Sequence, residues 1–244
     1  MREGKAGISV VIPVFNCERY LGEAIESVLS QTCRATEILV IDDGSTDGTG
    51  HVARSYSPLV RYVFQRNSGA ASARNRGAEL AREVFLSFLD ADDVWVEDKL
   101  SRQIACFEQD PDLDMIFGYA EHFISPDIAE ELAAKFHCPE QPMPAPGPAT
   151  MLIRRQAFFQ AGPFDAAYGC GESISWFAKA MDRGLRGRMV REVLLRRRVH
   201  LNNISRVSRD VRDDYLRVVR DALERRRRRE ADTSPAGTEL GAEN

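Results

Sequence analysis

Residues 8–14, ISVVIPV, are a β-branched apolar run closed by Pro13 and Asn16, and apolar positions then recur at Leu21, Ile25, Val28 and Leu29 with the i, i+4, i+7, i+8 spacing of one helical face. That pattern predicts a strand followed by an amphipathic helix. The alternation repeats, with strands expected at Glu37 to Ile41, Val60 to Gln65 and Val84 to Leu89, and helices at Thr49 to Tyr56 and Ala70 to Ala81. Near-continuous apolar strands that each lead into a helix belong to a parallel sheet covered on both faces, with right-handed crossovers. In such a sheet ligands bind beyond the carboxyl ends of the strands.

Further along, the pattern predicts a helix near Glu97 to Gln109 and a strand from Asp114 to Ile124. The segment HCPEQPMPAPGP, residues 137–148, carries five prolines, each of which removes a backbone donor, so it is expected to be a loop, a lid or a linker with neither ladder nor helix. Ala149 to Ile153 reads as a strand, Gly171 to Arg183 as a helix and Arg188 to Val199 as one or two strands. A last amphipathic helix is expected from about Val207 to Arg229, with Val207, Val211, Tyr215, Val218 and Leu223 on one side, before a tail with the composition of a disordered segment.

Composition narrows the class. The 244 residues are 43% hydrophobic and 29% charged, as in an ordinary folded chain, and suit one domain with a tail. A net charge of -4 gives no global polyanion signal, and a primary nucleic-acid role is not expected. No apolar run reaches the roughly 18 residues of a membrane span, and a cytoplasmic location is expected. The cysteines Cys17, Cys33, Cys106, Cys138 and Cys170 are odd in number and lack CxxC spacing, which argues against a zinc site or a disulfide framework.

The chemistry clusters at the strand exits: Pro13 to Asn16, DDGSTD from Asp42, RNSG from Arg66 and DADD from Asp90. Asp42, Asp43, Asp90 and Asp92, with Asp93 beside them, would converge on one edge of the sheet and need a counter-charge, most simply a hard divalent cation shared with substrate phosphates. Turn and helix-capping roles are the plainer alternative for each motif alone. Neither GxGxxG nor GxxxxGK[ST] follows the first strand, so phosphates would be held by metal and arginine, with Arg74 facing the carboxylate edge or pairing with one of its carboxylates.

VVIPVFN, ILVIDDGSTDGT, RNSGAASARNRG and FLSFLDADDVW, in this order and spacing, resemble the family 2 glycosyltransferases of GT-A fold. The resemblance is strong over residues 8–98 and thins towards Ser205. It implies a GT-A type α/β fold, Rossmann-like, with a mainly parallel sheet, flanking helices and a C-terminal helical extension. Residues 1–110 would form the nucleotide-sugar half, 111–205 the acceptor half of the same domain, and 206–244 the C-terminal helix and tail. It implies inverting transfer from a nucleotide-diphosphate sugar, a UDP-sugar above all, with Mn²⁺ or Mg²⁺ as cofactor. Pro13 and Phe15 would line the nucleobase pocket, Asp42 or Asp43 would accept from the base, and Arg74 would help hold the diphosphate. Asp90, Ala91 and Asp92 would form the DXD motif, and Asp92 and His200 would ligate the metal.

One departure matters. Members of that family typically read GED-x-D-W at the helix bearing the catalytic base, whereas this chain reads GESISW, with Ser173 and Ser175 at the two Asp positions. Glu172 could act as base, a carboxylate such as Asp165 could reach in, the acceptor could be a thiol, or the protein could bind donor without turnover. Trp176 is expected in the core. The acceptor, whether saccharide, peptide or small molecule, is not legible. The clusters Arg196 to Arg198 and Arg225 to Arg229 could meet an anionic acceptor or a membrane surface.

Overall fold

The computed structural model describes residues 7–136, 138–168 and 171–201, and beyond these only 217, 220, 221 and 224. Its first half follows the apolar pattern closely: β1 (Ile8–Val14), α1 (Leu21–Leu29), β2 (Glu37–Asp42), α2 (Thr49–Ser55), β3 (Arg61–Phe64), α3 (Ala70–Leu80) and β4 (Phe85–Phe88). There follow β5 (Val94–Trp95), α4 (Lys99–Gln109), β6 (Met115–Ile124), α5 (Glu130–Ala133), β7 (Met143–Ala145), a 3-10 turn at Pro148–Thr150, β8 (Leu152–Arg154), α6 (Arg155–Ala161), α7 (Glu172–Asp182) and β9 (Gly187–Val199).

The strands join one sheet in the order β3-β2-β1-β4-β8-β6-β9-β5, with β7 added beside β6. Pairing is parallel among β3, β2, β1 and β4. Beyond β4 the ladder turns antiparallel at β8, and β6 and β9 run parallel to each other. The alternation therefore continues past β4 through α4 to β6, which runs parallel to β4, but β8 inserts between these two strands in the reverse direction.

Strand alternation feeds two apolar layers. Val10, Ile12 and Val14 of β1 pack with Leu21, Ile25 and Val28 of α1 and with Leu100 and Phe107 of α4. Val11, from the opposite side of β1, packs with Ala73 and Ala78 of α3, Phe158 of α6 and Trp176 of α7. Helix α3 lies unusually close to the sheet, since a Cβ on Gly77 would strike the Val11 side chain. Trp176 is a core residue, as expected: it stacks on Phe158 with ring centroids 5.5 Å apart and donates from Nε1 to the Gly162 carbonyl at 2.7 Å.

Two features depart from the sequence expectation. The proline-rich segment does contribute to the sheet, because Pro144 sits opposite Tyr119 on the short strand β7, which pairs with β6 on one side only, where a residue without an N–H is tolerated. Arg198, grouped above with exposed basic residues, is buried at 2% exposure. Of the predicted C-terminal helix, Arg217, Arg220, Asp221 and Glu224 are helical, while Val207, Val211, Tyr215, Val218, Leu223 and the Arg225 to Arg229 run lie outside the described residues. Among the described residues, no helix is long and apolar enough to cross a membrane.

Candidate active site

The carboxyl ends of β1, β2 and β4 bring the predicted residues to one edge, but their charges are compensated in different ways. Pro13 is buried in β1 opposite Ile41, and Phe15, just past the strand, is 51% exposed and offers an open aromatic face. Asp42 is buried: Oδ1 accepts the Ser45 N–H at 2.8 Å and Oδ2 the Tyr62 hydroxyl at 2.7 Å. Burial and that carboxylate push the Tyr62 phenol up to about 12, so it remains a donor. Asp43 accepts from Gln65 Nε2 (2.7 Å), Ser68 N (2.9 Å) and Gly69 N (2.8 Å). It ties β2 to the loop that opens α3, where Gly69 takes φ 89°, a conformation that favours glycine.

At the β4 exit the partners are side chains of other elements. Arg74, in the second turn of α3, donates from Nη2 to Asp90 Oδ1 at 2.6 Å and from Nη1 to Glu172 Oε1 at 2.9 Å. Burial disfavours its charge, but Asp90 and Glu172 outweigh that and leave its pKa above the ordinary arginine value. Asp92 Oδ2 lies 2.9 Å from His200 Nε2 across 108 positions of sequence. Ala91 is buried and its carbonyl accepts from Cys17 Sγ at 3.5 Å. Burial first, and then Asp92, push the Cys17 thiol up to about 12, so it stays protonated. Asp93 is buried and accepts the Arg198 N–H at 2.8 Å, with burial and then the neighbouring Asp92 and Asp90 charges holding its pKa well above the usual carboxylate range.

The carboxylates meet at one edge, and three of them, Asp42, Asp43 and Asp90, already have partners within the protein. Asp42 and Asp43 are satisfied by backbone and side-chain donors, and Asp90 by a guanidinium. Among the described residues no three His, Cys, Asp or Glu side chains group as a metal site. The pair Asp92 and His200 still fits a divalent ion that keeps water and substrate oxygens as its other ligands. Two ligands at about 2.1 Å and a right angle stand about 3.0 Å apart, close to the observed separation.

Helix α7 follows Gly171, φ 89°, and has Glu172 in its first turn. Glu172 is mostly buried, and its contact with Arg74 fixes the direction of the carboxylate. Ser173 is half-buried and Ser175 fully buried, so Ser175 cannot meet a substrate. Asp165 is a turn residue that accepts the Ala167 N–H at 3.0 Å and lies 3.8 Å from Lys179. Sequence reasoning missed Arg198 and Tyr20, which brace the Asp92–His200 pair. Arg198 sits in a run of arginines that reads as surface, and the one available signal was its position two residues before His200 on an extended strand.

The sequence pattern of Glycosyl transferase family 2 matches residues 9–170. The chain belongs to that family. Family 2 relatives include the UDP-Glc:alpha-D-GlcNAc-diphosphoundecaprenol beta-1,3-glucosyltransferase WfaP of Escherichia coli, 34% identical over 123 residues, which are 50% of this chain and 48% of WfaP. Glycosyltransferase GlyG of Streptococcus pneumoniae is 36% identical over 115 residues, 46% of this chain and 38% of GlyG. The chain thus spans less than half the length of either relative. Crystalline S. aureus TarS 1-349 in complex with UDP superposes with a TM-score of 0.68 at 20% identity, over 88% of this chain and 64% of that one. At that identity the likeness establishes the fold, the mixed α/β architecture of family 2 enzymes expected above.

Proposed function

We propose that the protein is an inverting glycosyltransferase that takes its sugar from a nucleotide diphosphate, in the first instance a UDP-sugar. The observation that carries the reading is the meeting of Asp92 and His200 at 2.9 Å at the carboxyl edge of the sheet, where an open aromatic face at Phe15 also lies. Related proteins support the donor class: WfaP is named for UDP-Glc, and TarS binds UDP. Asp92 and His200 would hold Mn²⁺ or Mg²⁺, which when bound offsets the negative charge that develops on the departing diphosphate. Phe15 and Pro13 would bound the nucleobase pocket. Asp43 would present its loop to the base rather than a bare carboxylate, because its oxygens already accept three donors.

Inversion requires a carboxylate on the face of the sugar opposite the leaving group. Glu172 is the carboxylate at the start of α7, and Arg74 orients it while neutralising Asp90. In this reading Arg74 aligns the base, and its part in holding the diphosphate is secondary. The acceptor is an unidentified saccharide, peptide or small molecule. WfaP acts on a diphosphoundecaprenol-linked sugar, and the Arg225 to Arg229 run would suit a comparable anionic, membrane-borne acceptor.

A calorimetric titration with UDP, with and without Mn²⁺, tests the reading: binding that strengthens with Mn²⁺ is expected, and no binding under either condition rejects it. A second reading, a donor-binding protein without turnover, is favoured by Ser173 and Ser175 and by the engagement of Glu172 with Arg74. Release of UDP from a UDP-sugar in the presence of acceptors would reject that alternative.

A further inference from the structure

Arg198 stands in the RRR run of β9, yet its side chain is 2% exposed and cannot reach a substrate. Its donors tie the loop that carries Asp92 to α1 and to the residue that follows β6. Nε donates to the Asp92 carbonyl at 2.9 Å, Nη1 to Ser125 Oγ at 3.4 Å and Nη2 to the Glu23 carboxylate, while the backbone N–H donates to Asp93. The guanidinium carbon lies 4.8 Å from the Tyr20 ring centroid and 4.7 Å from that of Phe123. Tyr20 in turn packs on the His200 ring with centroids 4.8 Å apart and donates its hydroxyl to Asp127 at 3.0 Å.

These contacts join α1, the loop after β4, the end of β6 and the end of β9 at one buried cation. Arg198 and His200 are two residues apart on an extended segment, so both side chains leave it towards the same loop. Holding the Asp92 backbone through Nε and the His200 ring through Tyr20 fixes the two atoms that face each other at 2.9 Å. A lysine could offer only a point charge here, whereas the planar fork spans three acceptors at once.

We propose that Arg198 is a positioning residue, which sets the separation of Asp92 and His200 so that they can grip a divalent cation together with the donor's diphosphate. The inference rests on the cation-binding reading of that pair, and its test separates the two. UDP affinity is measured by calorimetry with and without Mn²⁺ for the wild type, Arg198→Lys, Glu23→Gln and, as a surface control from the same run, Arg196→Ala. Thermal unfolding is followed in parallel.

Arg198→Lys is expected to bind UDP without metal within about twofold of wild type and to lose about 10–100-fold of the Mn²⁺-dependent gain, the usual size of effect for a group that supports a metal ligand. Arg196→Ala is expected to match the wild type. Glu23→Gln removes one anchor of the fork from a largely exposed carboxylate, so it reports on the brace even if Arg198→Lys fails to fold. It should lower the same gain by a smaller factor and shift the His200 ring resonances in metal-free NMR spectra. A wild type with the gain, accompanied by a folded Arg198→Lys or a Glu23→Gln that keeps all of it, overturns the positioning role alone. A wild type whose UDP affinity ignores Mn²⁺ overturns the cation reading and this inference together.

Discussion

The exits of β2 and β4 each carry two or more aspartates, yet they are built on opposite principles. At β2, Asp42 and Asp43 are satisfied by Ser45, Tyr62, Gln65, Ser68 and Gly69, none of them more than 26 residues away. At β4, Asp90 and Asp92 face Arg74 and His200, and Arg74 also reaches Glu172, 98 residues distant. Neutral local donors fix a loop. Side chains from α3, α7 and the residue after β9 meet at the β4 exit only when the whole domain has folded, so that exit depends on tertiary packing in a way the β2 exit does not. The comparison separates carboxylates that hold one loop from carboxylates that link several elements, although in the sequence all are Asp in polar turns.

The largest effect that would sharpen this contrast is expected at Glu172. Glu172→Gln should lower the transfer rate by roughly 10²–10⁴-fold, the usual contribution of a general base, while UDP affinity holds; an unchanged kcat would remove Glu172 from the chemistry. Asp92→Asn, at the same exit, should abolish more than about 100-fold of the Mn²⁺-dependent gain in UDP affinity, since a ligand matters more than the groups that support it. Its thermal midpoint should stay near that of the wild type.

Asp43→Asn should behave in the reverse manner. An amide in its place turns an NH₂ group towards N–H donors that need acceptors, which is expected to cost about 2 kcal/mol of stability, readable by urea unfolding, with the Mn²⁺-dependent gain preserved. Should Asp43→Asn lose that gain and keep its stability, the division between the two exits would be broken.

The smallest effect concerns Lys99, which is fully buried, donating to Ser87 Oγ at 3.0 Å and Gln103 Oε1 at 2.8 Å beside the Trp95 ring. Burial holds its pKa well below the ordinary lysine value. Between that lowered value and about 10.4 the unfolded chain carries a proton that the folded amine has given up. Stability should therefore rise with pH across that window and fall on acidification. Lys99→Met should flatten this slope in thermal unfolding measured from neutral to alkaline pH.

How far the sequence revealed these features follows from how local each one is. Strands β1 to β4 and helices α1 to α4 were readable because their apolar spacing is set by the two layers they face. Strand β7 was hidden because a proline ordinarily denies a ladder, and its pairing with β6 on one side only makes Pro144 acceptable. Helix α6 went unseen because its buried stripe, Ala157, Phe158 and Ala161, spans little more than one turn. Arg74 was legible as a cation near carboxylates, but its choice of Asp90 and Glu172 depends on where α7 docks. Lys99 shares a helical face with Gln103 and Phe107 and could have been suspected of burial, whereas nothing in a run of three arginines marks the middle layer of a packed brace.

The missing side chain at Gly77 reaches further than its own contact. It lies three positions after Arg74 on α3, so the depth to which this helix sinks onto Val11 also sets where the guanidinium that spans Asp90 and Glu172 is held. A methyl group added at Gly77 would meet the Val11 side chain, and any shift of the helix that relieves the contact also moves the guanidinium that joins Asp90 to Glu172.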